Sequence, residues 1–218
     1  LPTASGEVPV VSTRLTWADT LGAWKARWRI GRMRYLVEPG LYAVGKPDPT
    51  SPVLVSANYK MSFDRLRSSI DGIDAWLLVL DTKGINVWCA AGKGTFGTDE
   101  LVKRMEAVKL REVVSHRRLI VPQLGAPGVA AHEVKQRTDF RVVYGPVWAR
   151  DISAFLKAKM KATPEMRRMT FPLIDRLAVV PVELIGGMKY VLMVMLVLLL
   201  LAGLGPGGYR WSRVISDG

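Results

Sequence analysis

The stretch Ala75-Trp76-Leu77-Leu78-Val79-Leu80, followed by Asp81-Thr82-Lys83-Gly84, decides the fold. An unbroken run of apolar residues, stopped at once by a turn signal, is too short for a core helix and does not alternate. It fits a strand buried on both faces, as in a sheet covered by helices on each side. Working outward, Val53-Leu54-Val55-Ser56-Ala57, Leu119-Ile120-Val121 and Arg141-Val142-Val143-Tyr144 read as further short strands, and so does Ile85-Asn86-Val87-Trp88-Cys89. Between them lie helical patterns over Ser62–Ile70, with Ser62 as N-cap, and over Thr98–Leu110, Val129–Thr138 and Asp151–Met160. Strands alternating with helices predict an α/β domain with a mostly parallel sheet. Ligands of such sheets bind at the carboxyl ends of the strands. The loops there are Ser56-Ala57-Asn58-Tyr59-Lys60, Cys89–Gly97, Gln123–Gly128 and Gly145-Pro146-Val147.

The chain has 218 residues, 49% apolar and 23% charged, which excludes a disordered chain. Its 31 Lys and Arg against 19 Asp and Glu give a net charge of +12. That balance suits nucleic acid, an anionic membrane surface or an anionic ligand. No nucleic-acid motif accompanies it, so no nucleic-acid partner is expected. Cys89 is the one cysteine, which excludes an intrachain disulfide and a thiol-only metal cage. His116 and His132 are too few to complete a zinc site, and neither has the setting of a base for a nucleophilic cysteine. No charged-then-apolar leader is visible and the first residue is Leu1, so the chain reads as a fragment.

Residues 1–39 comprise a lead-in and a basic amphipathic helix. In the helix Trp17, Leu21, Trp24 and Trp28 recur at spacings of four, three and four among Arg and Lys. Packing on the domain with a solvated basic face is expected, a membrane-surface or partner helix being the alternative. Residues 40–162 form the α/β domain, and 163–182 a basic connector punctuated by Pro164, Pro172 and Pro181. Residues 183–205 read as a transmembrane helix, long enough at about 1.5 Å per residue to cross a hydrocarbon core of about 30 Å. Its one interior cation, Lys189, lies near the start. Residues 206–218 would begin a loop to further spans.

The densest chemistry is in Asn86-Val87-Trp88-Cys89-Ala90-Ala91-Gly92-Lys93-Gly94-Thr95. This is not a Walker loop: Gly94 follows Lys93 where Ser or Thr belongs, and Val87 stands in place of the first glycine. Cys89 falls at the ligand-binding edge, where a thiolate suits a soft or borderline metal; a small apolar core role is the alternative. Gly92 and Gly94 allow close backbone approach to a flat, bulky ligand. Lys93 suits a carboxylate, phosphate or amide-bearing periphery. Gln123, Gly125 and Ala126 lie in a second loop of the same edge.

Asn86–Lys93 resembles the cap-helix signature of the mercury-methylating corrinoid protein family. Tyr42–Gly45, Pro52–Arg67, Leu119–Val134 and Arg141–Val147 also resemble its wider relative, the corrinoid iron–sulfur protein large subunit of the acetyl-CoA pathway. The resemblance implies a Rossmann-like corrinoid-binding domain followed by membrane helices. It implies a cobalamin-type cofactor with Cys89 as lower axial ligand to cobalt. Asn58, Asn86, Val87, Trp88, Ala90, Ala91, Gly92, Lys93, Gly94, Thr95, Gln123, Gly125, Ala126 and Gly145 would line the cofactor. The implied activity is that of a methyltransferase passing a methyl group from methyl–cobalt(III) to mercuric ion, which forms methylmercury. The implied partners are a ferredoxin-like [4Fe–4S] electron donor, a methyl-folate or methyltransferase donor, and the membrane. The implied location is the bacterial or archaeal inner membrane, with the domain facing the cytoplasm. The alternative is a corrinoid methyl carrier in one-carbon metabolism of the acetyl-CoA type.

Overall fold

A computed structural model describes residues 1–3 and 6–202. The expected loop 206–218 and the last residues, 203–205, of the expected span lie outside the described residues. Strands β1 (Pro2–Thr3) and β2 (Gly6–Glu7) pair as a small antiparallel hairpin. The main sheet holds β3 (Val10–Val11), β4 (Gly40–Val44), β5 (Val53–Ala57), β6 (Ala75–Leu80), β7 (Arg118–Val121) and β8 (Arg141–Tyr144). Their order is β3-β4-β6-β5-β7-β8, and every neighbouring pair is parallel except β4 with β6. The largely parallel α/β sheet expected from the sequence is present.

The helices are α1 (Trp17–Arg27), α2 (Lys60–Ser68), α3 (Val87–Gly92), α4 (Thr98–Ala107), α5 (Leu110–Val113), α6 (Ala131–Thr138), α7 (Ile152–Lys157), α8 (Leu173–Leu177) and α9 (Val180–Ala202). Side chains of β5 and β6 alternate between two cores, as a period of two requires. Val53, Val55, Trp76, Leu78 and Leu80 pack with Leu101 and Met105 of α4 and Val134 of α6. Leu54, Leu77 and Val79 pack on the other face with Phe63 and Leu66 of α2 and Phe155 of α7. Each such fully buried side chain contributes roughly 2 kcal/mol, so both faces are held by apolar burial. The chain runs from β5 to β6, then returns past β5 to β7, so the direction of winding reverses between β5 and β7. In doubly wound sheets a ligand crevice opens at that point, beyond the carboxyl ends of the strands.

Three local readings change. Ile85–Cys89 is not a strand: Asn86 caps α3, which starts at Val87. Helix α2 begins two residues before Ser62, because the Lys60 N–H is taken by the Tyr35 carbonyl at 3.1 Å and needs no side-chain cap. Helix α1 does not turn its apolar stripe to the domain; Trp17, Leu21 and Trp24 are exposed.

The chain divides into two compact units, Leu1–Ala26 with Gly31–Thr170, and Arg27–Ile30 with Phe171 onward. In the second, α9 has 23 residues, none of them buried, and its large apolar side chains are exposed on all sides. Asp175–Ala202 is long and apolar enough to cross a membrane.

Candidate functional site

Asn58 leaves the end of β5 and is buried. Its Oδ1 accepts the Thr82 N–H at 3.1 Å, the Thr82 hydroxyl at 2.8 Å and the Gly84 N–H at 3.0 Å. Its Nδ2 donates to Asp81 at 3.3 Å. Asn58 therefore fastens the turn after β6, in which Lys83 and Gly84 are both left-handed, with φ of 58° and 70°. The ammonium of Lys83, hydrogen-bonded to Asp81, holds that carboxyl below its ordinary range.

That turn launches α3 across the edge of the sheet. The Asn86 Oδ1 accepts the Cys89 N–H at 2.9 Å, which closes the first turn of the helix. Ala90 and Ala91 are buried, whereas Trp88, 61% exposed, and Cys89 face outward. Beneath lies Phe96, fully buried, its N–H bonded to the Ala90 carbonyl at 3.1 Å. A Cβ at Gly125 or Gly128 would collide with Phe96. These two glycines let the short 3-10 turn Gln123–Gly125, at the end of β7, pack directly against α3. Thr98 ties the same loop down, its Oγ1 accepting the Ala130 N–H at 2.9 Å.

The loop after β8 joins this edge. The Gly145 N–H bonds to the Val121 carbonyl at 2.9 Å and the Gln123 N–H to the Pro146 carbonyl at 3.5 Å. Two buried side-chain atoms among the described residues have no hydrogen-bond partner, Gln123 Oε1 and Trp148 Nε1. Both sit in loops at the carboxyl ends of adjacent strands. A buried acceptor and a buried donor left unpaired together are uncommon in a finished interior. On the opposite flank, Leu36 bridges to Tyr59, the Val37 N–H bonds to the Asn58 carbonyl at 2.9 Å, and Leu36 lies against Gly84.

The structure thus gathers Asn86–Lys93, Gln123, Gly125 and Ala126 at one edge, with Gly145 in the adjoining loop. Gly92, Lys93 and Gly94 are exposed at the far end of α3, and Thr95 is half-buried behind them. Asn58 is present, but its side chain is committed to the turn. Sequence reading placed Phe96 and Gly128 in the edge loops without singling them out, and missed Trp148 and Leu36. The Gly125–Gly128 pair signals a close approach, but nothing in the sequence names Phe96 as what approaches. No group of three or more His, Cys, Asp or Glu that could hold a metal ion occurs among the described residues. His116 lies elsewhere, lining a cavity of about 260 Å³ with Pro52, Val53 and Arg118 at the amino ends of the strands.

The family model of the CO dehydrogenase/acetyl-CoA synthase delta subunit matches residues 31–156, which hold the whole of this edge. The chain is 33% identical over 123 residues to the acetyl-CoA decarbonylase/synthase complex subunit gamma of Archaeoglobus fulgidus, covering 56% of this chain and 26% of that protein. It is 32% identical over 123 residues to the corresponding subunit of Methanopyrus kandleri, with the same coverage. It is 31% identical over 126 residues to the corrinoid/iron-sulfur protein large subunit of Moorella thermoacetica, covering 57% and 28%. The matched stretch spans about a quarter of the length of these relatives.

These matches overturn the assignment to the mercury-methylating branch and favour the acetyl-CoA-pathway alternative. Mercuric ion as substrate, methylmercury as product, the mercury-methylating enzyme and the partner set drawn from that branch are withdrawn. The physical reason lies in how little the signature specifies. Asn86–Lys93 builds a capped helix with small inner residues, and nothing in it specifies a substrate. A scaffold element of that kind does not choose the acceptor.

Proposed function

This chain belongs to the CO dehydrogenase/acetyl-CoA synthase delta subunit family, and from that membership we propose that it binds a corrinoid and serves as a methyl carrier within a multi-subunit complex of one-carbon metabolism. Its partners would be other subunits of a corrinoid/iron–sulfur or acetyl-CoA synthase type of assembly. The observation that carries the reading is α3, with Trp88 and Cys89 outward, packed on the Gln123–Gly125 turn at the point where the sheet reverses its winding.

The residues present fit such a cofactor. A corrin has a broad face and an amide-bearing rim, and the edge offers an exposed aromatic ring, small residues and, in Gln123 Oε1, a buried acceptor without a partner. When bound, the corrinoid supplies a cobalt centre able to take up and release a methyl group. Cys89 would present its sulfur toward the metal, held in place by Asn86. Trp88 would cover part of the corrin face, and Val87, Ala90 and Ala91 would set the height of α3 above the sheet. Gln123 would donate or accept at the rim amides, with Gly125, Ala126 and Gly145 keeping the backbone low beside it. Gly92, Lys93, Gly94 and Thr95 would border the far side. Asn58 acts through the Asp81–Gly84 turn as a positioning residue.

We infer that α9 anchors this domain to a prokaryotic inner membrane on the cytoplasmic side. Arg167, Arg168 and Arg176 precede the helix and Arg210 and Arg213 follow it, so the basic excess on the preceding side is small and the cytoplasmic side rests mainly on the family resemblance.

The test is reconstitution of the full chain in detergent with hydroxocobalamin, followed by gel filtration and visible spectra. Wild type should retain the corrinoid through the column. Cys89→Ala should retain it with displaced absorption bands, and Gln123→Ala should retain less. A chain that elutes free of corrinoid overturns the proposed function, and identical spectra for wild type and Cys89→Ala overturn the role of Cys89.

A further inference from the structure

Helix α1 is amphipathic the wrong way round for a helix that packs by its apolar side. At about 100° per residue, Trp17, Leu21 and Trp24 fall within about 60° of one another, and Asp19, Gly22 and Ala26 fall within about 60° on the opposite side. The second set is the one turned inward. Ala26 is fully buried, a Cβ at Gly22 would collide with the Tyr35 ring, and the Asp19 carbonyl accepts the Tyr35 hydroxyl at 2.9 Å. Asp19 also pairs with Lys60 at 2.5 Å and Arg67 at 2.9 Å, so the helix is fixed to α2 through its polar side. The stripe is left outward, with Trp17 80% exposed and Leu21 40% exposed. Leu15 and, after the helix, Met33 and Leu36 add exposed apolar surface.

The charge along this segment of the sequence is of one sign. Within the same compact unit Arg14, Lys25, Arg32 and Arg34 stand between positions 14 and 34, against the single acid Asp19, which is already paired. Exposed tryptophans and leucine among cations are the makings of a helix that lies in the interface of a bilayer. An anionic leaflet attracts such cations over about a Debye length. The same chain carries α9, long and apolar enough to cross a bilayer, so a membrane surface is always at high effective concentration. We propose that the outward stripe of α1, centred on Trp17 and Leu21, docks on the surface of an anionic lipid bilayer and so fixes how the α/β domain rests on its own membrane. The proposal is independent of what the domain binds at its sheet edge.

A nitroxide attached through Leu21→Cys in a Cys89→Ala background tests it, with the full chain in lipid nanodiscs. Accessibility to oxygen and to a water-soluble nickel chelate reports whether the label sits in lipid or water. In phosphatidylglycerol–phosphatidylcholine discs the label should be reached by oxygen and shielded from nickel. The double change Lys25→Glu with Arg34→Glu should return it to water. A label at Glu106, exposed on α4, should read aqueous throughout. An aqueous reading at position 21 in anionic discs overturns the proposal. Equal shielding in detergent and in pure phosphatidylcholine discs also overturns it, because the stripe would then be covered by protein.

Discussion

The side chain of Asn86 accepts the backbone N–H of Cys89 at 2.9 Å, so the residue that starts α3 also fixes the position of the exposed thiol. Removing an N-cap of this kind costs about 1 kcal/mol. Asn86→Ala should lower the thermal midpoint slightly and, under the proposed function, displace the absorption bands of bound hydroxocobalamin much as Cys89→Ala does. Asn86→Asp, which keeps the acceptor, should restore both. Spectra unchanged in Asn86→Ala would separate the cap from the ligand site.

Glycines at the two ends of the site should respond in opposite ways. A Cβ at Gly128 would press on the Phe96 carbonyl and the Ala91 backbone, neither of which can yield cheaply. Gly128→Ala should therefore destabilise the domain by about 1–3 kcal/mol, as overpacking does. Gly92 is the last residue of α3 and a Cβ there meets nothing within 4 Å. Gly92→Ala should be neutral or stabilise by up to about 1 kcal/mol through helix propensity. Thermal unfolding of the corrinoid-free protein distinguishes the two.

The attachment of α1 should be acid-labile. Burial alone raises the Asp19 carboxyl, but hydrogen bonds from Lys60, Thr16 and Arg67 outweigh it and hold the group well below the usual carboxylate range. A carboxylate depressed in the folded state stabilises the fold fully above its unfolded value, near 3.9. That contribution is lost as pH falls from there toward the folded value. Asp19→Asn should cost about 2 kcal/mol at neutral pH, less than the ~3–5 kcal/mol of a fully broken buried pair, because Asp64 still holds Arg67. Thermal midpoints of wild type and Asp19→Asn should converge as the pH falls below about 4.

Sequence reading found β5 and β6 because both faces of each are buried, which leaves a continuous apolar run with nothing to mistake. It misread Ile85–Cys89 because isoleucine, valine and tryptophan favour strands, and a run that short carries no periodicity to correct the choice. The deciding contact is local but polar, from Asn86 to the Cys89 amide. It missed β4, a short mixed run in which Leu41, Ala43 and Val44 are buried but Gly40 and Tyr42 are only half-buried, and the edge strand Val10–Val11, too short to register. For α1 the periodicity was legible and its direction was not. Spacing shows that Trp17, Leu21 and Trp24 share a face, but only the Asp19, Lys60 and Arg67 network shows that the opposite face is inward. The site loops after β5, β7 and β8 were legible from the strands they follow, but Cys89–Gly97 was expected after a strand that is helix α3, and Phe96 reaches α3 through packing that no motif records. The acceptor implied by the mercury-methylating resemblance did not hold, because Asn86–Lys93 builds a capped helix with small inner residues and contains nothing that selects a substrate.

Helix α9 supplies the last test. Its apolar residues lie on every side, with no polar stripe to be kept in water, and Lys189 is its only cation. Leu196 lies well inside the apolar run and is 57% exposed. An arginine near the middle of a spanning helix costs about 2.5–3.5 kcal/mol on an insertion scale. Leu196→Arg should therefore reduce the fraction of chain that resists alkaline carbonate extraction from membranes. Leu196→Phe, equally apolar, should leave that fraction unchanged. A helix that instead packs into a protein core would respond to both, the arginine through charge burial and the phenylalanine through overpacking. Equal losses in the two variants would thus remove the membrane role of α9, and with it the tether on which docking of α1 depends.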